Sequence, residues 1–310
     1  MTEPYVSPHI PVLYHEIIKA LAPHSGGLYI DGTLGAGGHS WGILNKSDPS
    51  GKLLGLDVDP DAITIARQRL SEFKNRAIIR QGSYSLISSF AHELGWNFVD
   101  GIIFDLGVSS IQLDTKERGF SFLYDAPLDM RFNHQEGITA ADIINHYSEA
   151  ELANLIWKYG EEKYSRRISR VICESRPIHG TLELANLIRK VYGNQHSHIN
   201  PATRTFQALR IAVNDELKTI EISIPQAIQL LKPDGILAVI SFHSLEDRLI
   251  KTIFRMESKN CICPPEQPVC TCNHVATIQE VNKKPITASS EEIKKNPRSR
   301  SAKLRIAKKI

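Results

Sequence analysis

The chain has 310 residues, of which 42% are hydrophobic and 23% charged, with 37 Lys and Arg against 34 Asp and Glu. That composition excludes a disordered or collagen-like polymer, and the chain contains no run of about 18 apolar residues that could span a membrane. The net charge of +3 is small but uneven: residues 1–157 sum to −8, 158–218 to +5, 219–282 to −2 and 283–310 to +8, a distribution that suits a polyanionic partner.

The opening segment, MTEPYVSPHIPVLYHE, carries acidic residues and no apolar core. It reads neither as a secretory signal nor as a transit peptide, so the expected location is the cytoplasm. LYIDGT (28–33) then reads as a buried strand, followed by the glycine-rich GAGGHS and a helix to about residue 46. KLLGLDVD (52–59) is a second strand and 60–73 a helix with Pro60 in its first turn. AIIRQGS (77–83) is a third strand with helix after it, and a fourth strand opens DGIIFDLGVSS (100–110). This β-α-β rhythm predicts an α/β fold with a parallel sheet and right-handed crossovers.

From 111 to 137 the chain reads as polar loop, and from 140 to about 190 as helix with many basic residues. Over 201–231, Phe206, Leu209, Val213 and Leu217 recur at helical spacing, with Gln207, Arg210, Asn214 and Lys218 on another face. GILAVIS (235–241) restores the strand signature, and VATIQEV (275–281) and AKLRIA (302–307) read as late strands. The expected organisation is a sheet domain, 1–111 and 206–310, interrupted by a mostly helical insertion at 112–205.

The chemistry concentrates at the ends of the first four strands. Glycines 35, 37 and 38 allow a tight turn and a ligand close to the backbone. Asp57 ends the second strand, where a carboxylate can accept hydrogen bonds from both hydroxyls of a ribose. Asp59, just before Pro60, reads as a helix cap. These features indicate a nucleoside cofactor, either NAD or S-adenosylmethionine. G-x-G-x-x-G is not completed, because Ser40 stands at its last position, and no Gly-Lys-Ser/Thr follows to make a P-loop. Tyr84 follows the third strand, where an aromatic ring can stack on adenine or stay half-buried in the core. Asp105 ends the fourth, where it can hold a methionine ammonium, face an acceptor, or pair with loop amides. An NAD-dependent oxidoreductase and a non-catalytic RNA-binding protein are the competing readings. The absent third glycine with Tyr84 and Asp105 counts against the first, and the intact loop with Asp57 and Asp105 against the second.

HIPVLYHE, YIDGTLGAGGHS, LDVDP, FDLGVSSIQLD, ERGFSF, PLDMRF, PATRTFQALRIAVNDEL, ISFHSLEDR and NPRSRSAKLRIA together resemble the RsmH (MraW) family. The resemblance runs through nearly the whole chain. It implies a class I, Rossmann-like methyltransferase fold, S-adenosylmethionine as cofactor, and methylation of N4 of a cytidine in the decoding region of bacterial small-subunit ribosomal RNA. The implied cofactor contacts are Gly37, Gly38, His39, Asp57, Tyr84, Asp105 and Gln112. The implied partner is small-subunit ribosomal RNA, free or in an assembling subunit; the oligomeric state is open, a homodimer included.

The amine of cytosine is a weak nucleophile because its lone pair is delocalised into the ring. Catalysis should therefore place N4 in line with the methyl sulfonium and accept its hydrogens. Asp105, Asp129 in PLDMRF and His243 in SFHSLED are the candidates, His243 reading equally as a helix cap. For RNA, Arg118 and Arg131 flank the loop carrying Phe120 and Phe122, whose rings could stack on bases or anchor the loop in the core. The insertion offers Lys163, Arg166, Arg167 and Arg170 with Arg204 and Arg210, and the tail offers Lys294, Lys295, Arg298, Arg300 and Lys303. Cys261, Cys263, Cys270 and Cys272 could bind zinc or form disulfides, but the tight C-x-C spacing favours free thiols in a surface loop, with no metal expected.

Overall fold

The computed structural model describes residues 11–193, 200–264, 266–267 and 269–310. The elements run α1 (Tyr14–Leu21), β1 (Leu28–Asp31), α2 (Gly38–Lys46), β2 (Lys52–Asp57), α3 (Pro60–Arg69), β3 (Ala77–Gln81), α4 (Ile87–Glu93) and β4 (Val99–Asp105). Then come α5 (Ser110–Asp114), α6 (Ala140–His146), α7 (Glu149–Gly160), α8 (Ser165–Glu174), α9 (Thr181–Tyr192), α10 (Ala202–Asn214) and α11 (Glu216–Leu230). The chain closes with β5 (Leu231–Ser241), α12 (Ser244–Glu257), β6 (Ile278–Glu280), β7 (Ile286–Thr287), α13 (Ser290–Lys295) and β8 (Lys303–Lys309). They form two compact units, residues 1–107 with 217–310 and residues 108–216. Among the described residues no helix is long and apolar enough to cross a membrane.

In the first unit the strands make one sheet in the order β3-β2-β1-β4-β5-β8-β6, with β7 also on β8. β1 to β5 are parallel, and β8 runs antiparallel to β5, β6 and β7. Each parallel strand is apolar on both faces, because helices cover both. Ile30, Leu54, Ile102, Phe104 and Val239 pack on one face with Ile87 of α4, Ile224 of α11 and Phe254 of α12. Their neighbours Tyr29, Leu53, Ile103 and Ala238 pack on the other with Ile17 of α1, Ile43 of α2 and Ile63 of α3. This alternation along single strands is the period-two signature of a sheet sandwiched between helices. The fold is α/β, a mostly parallel sheet with helices on both faces, as expected.

Several details differ from the sequence expectation. The helix expected over 60–73 ends at Arg69, and a 3₁₀ segment follows from Ser71 to Arg76. β5 begins at Leu231, four residues before the expected start, because Leu231 pairs with Val99 before a register shift brings Ile236 opposite Gly101. The strand expected at 275–281 is only three residues, and β7, two residues long, is too short to leave a period in the sequence. α5 occupies part of the stretch expected as loop from 111.

The second unit, 108–216, is longer than the expected insertion of 112–205. Its core holds Leu152 and Ile156 of α7, Ile168 and Ile172 of α8, Leu184 and Ile188 of α9, and Phe206 and Leu209 of α10. α10 therefore belongs to this core, and the helical run of 201–231 breaks at Asp215, whose φ is 48°. Thr139 with Asp142 and Ser148 with Glu151 form capping boxes that start α6 and α7.

Where α7 meets α10, Gly160 is buried, and a Cβ there would lie 2.6 Å from the Arg204 carbonyl oxygen. Gly160→Ala is expected to destabilise this unit by about 1–3 kcal/mol despite alanine's better helix propensity, because backbone must move. A thermal melt of the variant at or above the wild-type midpoint would contradict that packing.

Candidate functional site

The candidate site lies at the carboxyl ends of β1 to β5 in the first unit, where open parallel sheets bind ligands. The glycine loop between β1 and α2 is held from below by β2 and β4. Leu34 donates its backbone N–H to the Leu56 carbonyl (2.8 Å), Gly35 to Asp57 Oδ2 (2.8 Å) and Gly32 to the Ile103 carbonyl (3.0 Å). Gly35 and Gly37 take positive φ of 50° and 74°, and Gly37 is the N-cap of α2. Gly38 opens α2 against Pro11, whose Cγ would sit 2.4 Å from an added Cβ. His39 is buried in the first turn with its ring stacked on Tyr14 at 6.3 Å.

Asp57 does two things at once. Its Oδ2 accepts from Gly35 and its Oδ1 accepts from the Asp59 backbone N–H (2.9 Å), so it braces the glycine loop and the turn after β2. Burial pushes its carboxyl up to about 6 although both amides pull the other way. Asp59 caps α3 by accepting from the Asp61 N–H at 3.0 Å, as the sequence suggests. Tyr84 is half-buried beside Phe104, with ring centroids 5.3 Å apart.

Asp105 sits at the end of β4. Its backbone N–H donates to Thr33 Oγ1 (2.5 Å), and its Oδ2 lies 3.4 Å from His39 Nε2. Its Oδ1 is buried and has no hydrogen-bond partner among the described residues. Two residues in this framework escaped the sequence reading. Asp31 is buried, with Oδ2 accepting from Ser40 Oγ (2.7 Å) and Oδ1 from the Thr33 N–H (3.2 Å). Burial raises its carboxyl above the ordinary range. Thr33 in turn anchors Asp105. Asp31 at the first strand's end, nine residues before Ser40, was the available signal.

Two catalytic candidates also have local structural partners. His243 is the N-cap of α12: its Nδ1 accepts from the Glu246 N–H at 3.4 Å and its Nε2 lies 3.2 Å from Glu246 Oε1. Asp129, in the second unit, forms a two-pronged pair with Arg131, whose Nε donates to Oδ1 (3.0 Å) and Nη2 to Oδ2 (2.7 Å). Burial alone would raise the Asp129 carboxyl, but the Arg131 hydrogen bonds and charge outweigh it and hold it below the ordinary range. Asp129 is thus spent on Arg131, whereas His243 Nε2 is buried with no hydrogen-bond partner among the described residues. Gln112 also lies in the second unit, buried, completing a capping box in which the Ser109 N–H donates to its Oε1 (3.0 Å).

The basic candidates divide in the same way. Arg118 is buried and donates to the carbonyls of Arg131 (2.9 Å) and Phe132 (2.7 Å), so it builds the loop instead of presenting charge. Arg131 serves Asp129, and Arg210 donates twice to Glu216 (2.7 and 2.9 Å). Phe120 stacks on Phe132 at 5.8 Å and Phe122 meets Phe206 edge-on at 4.9 Å, so both rings anchor the loop. Lys163, Arg166, Arg167 and Arg170 are exposed on and beside α8, and Arg204 on α10. In the tail, Lys294, Lys295, Arg298 and Arg300 are exposed, while Lys303 pairs with Asp247 at 3.1 Å.

The first-unit groups fit S-adenosylmethionine: a carboxylate for a diol at Asp57, a ring beside the third strand at Tyr84, and an unspent buried carboxylate oxygen at Asp105 for a cation. Proteins called ribosomal RNA small subunit methyltransferase H are similar along nearly their whole length. That of Dehalococcoides mccartyi is 52% identical over 303 residues, covering 98% of this chain and 87% of the relative. Those of Heliobacterium mobile and Geobacter sp. (strain M21) are 48% and 50% identical, covering 97% of this chain and 99% and 98% of theirs. Residues 6–310 match the pattern of one family throughout, and by that match and these relatives the chain belongs to the MraW methylase family.

Proposed function

We propose that this protein transfers a methyl group from S-adenosylmethionine to N4 of a specific cytidine in the decoding region of small-subunit ribosomal RNA, in the cytoplasm. The observation that carries the reading is identity of about half the residues over nearly the full chain to curated small-subunit ribosomal RNA methyltransferases. In this reading Asp57 accepts from the ribose hydroxyls, Tyr84 lies along the adenine, and the amides of the glycine loop and the α2 N-terminus face the amino-acid carboxylate. The unspent Asp105 Oδ1 takes the ammonium.

The bound sulfonium supplies an electrophilic methyl group and a neutral leaving thioether. The chain's part is to hold N4 in line and keep water out. Asp129 is paired with Arg131 and His243 caps α12 through Nδ1, and no side chain is assigned as general base. The N4 that has gained a methyl group is cationic and acidic enough to release its proton to water. The cytosine must leave its stack to reach the methyl group. Mapping N4-methylcytidine in small-subunit RNA from a strain lacking the gene, with and without complementation, tests the assignment. A modification unaffected by the deletion would sink it.

The exposed cluster Lys163, Arg166 and Arg167 is proposed as an RNA contact, together with Arg204. Neutralising the first three should reduce the slope of log affinity against log salt by about 2, at roughly 0.7–0.9 for each phosphate no longer neutralised. An unchanged slope, with unchanged melting, would make the cluster a solvated face.

A further inference from the structure

The loop joining α12 to β6 has no part in the proposed chemistry, yet it carries four of the five cysteines. Its sulfurs converge: Cys261, Cys263, Cys270 and Cys272 place their Sγ atoms within 4.8 Å of one another. Cys270 and Cys272 are 3.6 Å apart, and Cys272 and Cys261 3.8 Å. These separations are far from the ~2.05 Å of a disulfide. They match the edge of a zinc tetrathiolate, which is about 3.8 Å for Zn–S bonds of about 2.3 Å.

We propose that Cys261, Cys263, Cys270 and Cys272 bind one zinc(II) ion as a closed tetrahedral site that clasps this loop. All four positions come from the protein, so the site has no opening for substrate and is structural. The backbone around it is already arranged. The Ile262 N–H donates to Cys272 Sγ at 3.4 Å. The Gln267 N–H closes a turn onto the Pro264 carbonyl at 3.0 Å, and its side chain donates at 2.8 Å to Oγ1 of Thr271, the residue between Cys270 and Cys272. The loop's neck is pinned, with the Thr277 N–H donating to the Glu257 carbonyl at 2.8 Å. His274, two residues past Cys272, has its Nδ1 2.9 Å from the Lys259 carbonyl and stands outside the cluster.

Zinc binding releases the thiol protons to solvent and leaves a site of net charge −2.

The test uses the full chain, purified without a metal-binding tag under reducing conditions and equilibrated with zinc before gel filtration. About one zinc per chain is expected by elemental analysis. Cobalt(II) added after zinc removal should give the intense visible bands of tetrahedral thiolate coordination. The double variant Cys261→Ser/Cys272→Ser should lose both signals, and Cys173→Ser neither. Substoichiometric zinc, octahedral cobalt spectra, two disulfides in freshly reduced protein, or zinc retained by the double variant would each overturn the proposal. If the double variant fails to fold, the wild-type cobalt spectrum decides.

Discussion

Asp57→Ala should weaken binding of S-adenosylhomocysteine by roughly a hundredfold or more in calorimetry. Two hydrogen bonds from ribose hydroxyls to one carboxylate are lost, each of about 1.5–3 kcal/mol when the acceptor is charged. The Gly35 and Asp59 amides lose their acceptors as well, so the loop that must receive the ligand loosens. Affinity within threefold of wild type would remove Asp57 from the site. The same residue predicts a pH dependence. Its carboxyl is raised to about 6, and the ribose hydroxyls need it ionised as their acceptor. Affinity should therefore be flat above pH 7 and roughly tenfold weaker at pH 5, one unit below that value. Asp57→Ala should flatten this part of the profile. Stability of the free protein should respond with the opposite sign. A carboxyl with a raised folded pKa holds its proton more tightly in the folded state, so its contribution is present below the ordinary carboxylate value of about 4. It is lost as pH rises toward about 6. Cofactor affinity and the free protein's melting point should thus move in opposite directions across that window.

The position of Asp57 was legible in the sequence: a carboxylate at the end of the second strand, twenty residues past Gly37, where it braces the glycine loop. The sheet was legible for a related reason. Continuous apolar strands alternating with helical periodicity leave few alternatives to a parallel sheet covered on both faces. The partners of Asp129, Arg118 and Arg131 were not legible, because a sequence shows which residues can donate or accept but not which neighbour claims them, whereas the cap at His243 was one of its sequence readings. Arg131, two residues along, takes Asp129, and the amide of Glu246, three along, takes His243. Arg118 is spent on two carbonyls thirteen and fourteen residues away. The boundary of the helical unit had the same ambiguity. The spacing of Phe206 and Leu209 identifies a buried helix face but not the core that buries it, and that core is formed by α7 to α9. For the cysteines, C-x-C spacing counted against a metal, whereas the fold of the intervening turn brings the sulfurs to within reach of one ion.

Asp105 provides the sharpest division within the proposed site, because its proposed contact is with the cofactor's amino-acid end while that of Asp57 is with the nucleoside. Thr33 fixes the backbone of Asp105, His39 lies beside one carboxylate oxygen, and the other is buried without a partner. A buried acceptor left unsatisfied is costly, and an ammonium group removes that cost. Asp105→Ala should therefore reduce affinity for S-adenosylhomocysteine by roughly ten- to a hundredfold, the equivalent of about 1.5–3 kcal/mol for one charged hydrogen bond. It should leave methylthioadenosine, which lacks the amino-acid end, bound as tightly as by the wild type. Asp57→Ala should weaken both ligands equally, since both carry the ribose. If Asp105→Ala binds S-adenosylhomocysteine normally but no longer methylates RNA, the unspent oxygen serves the cytosine amine instead. A loss of both ligands in equal measure would mean that Asp105 only maintains the loop through Thr33 and His39.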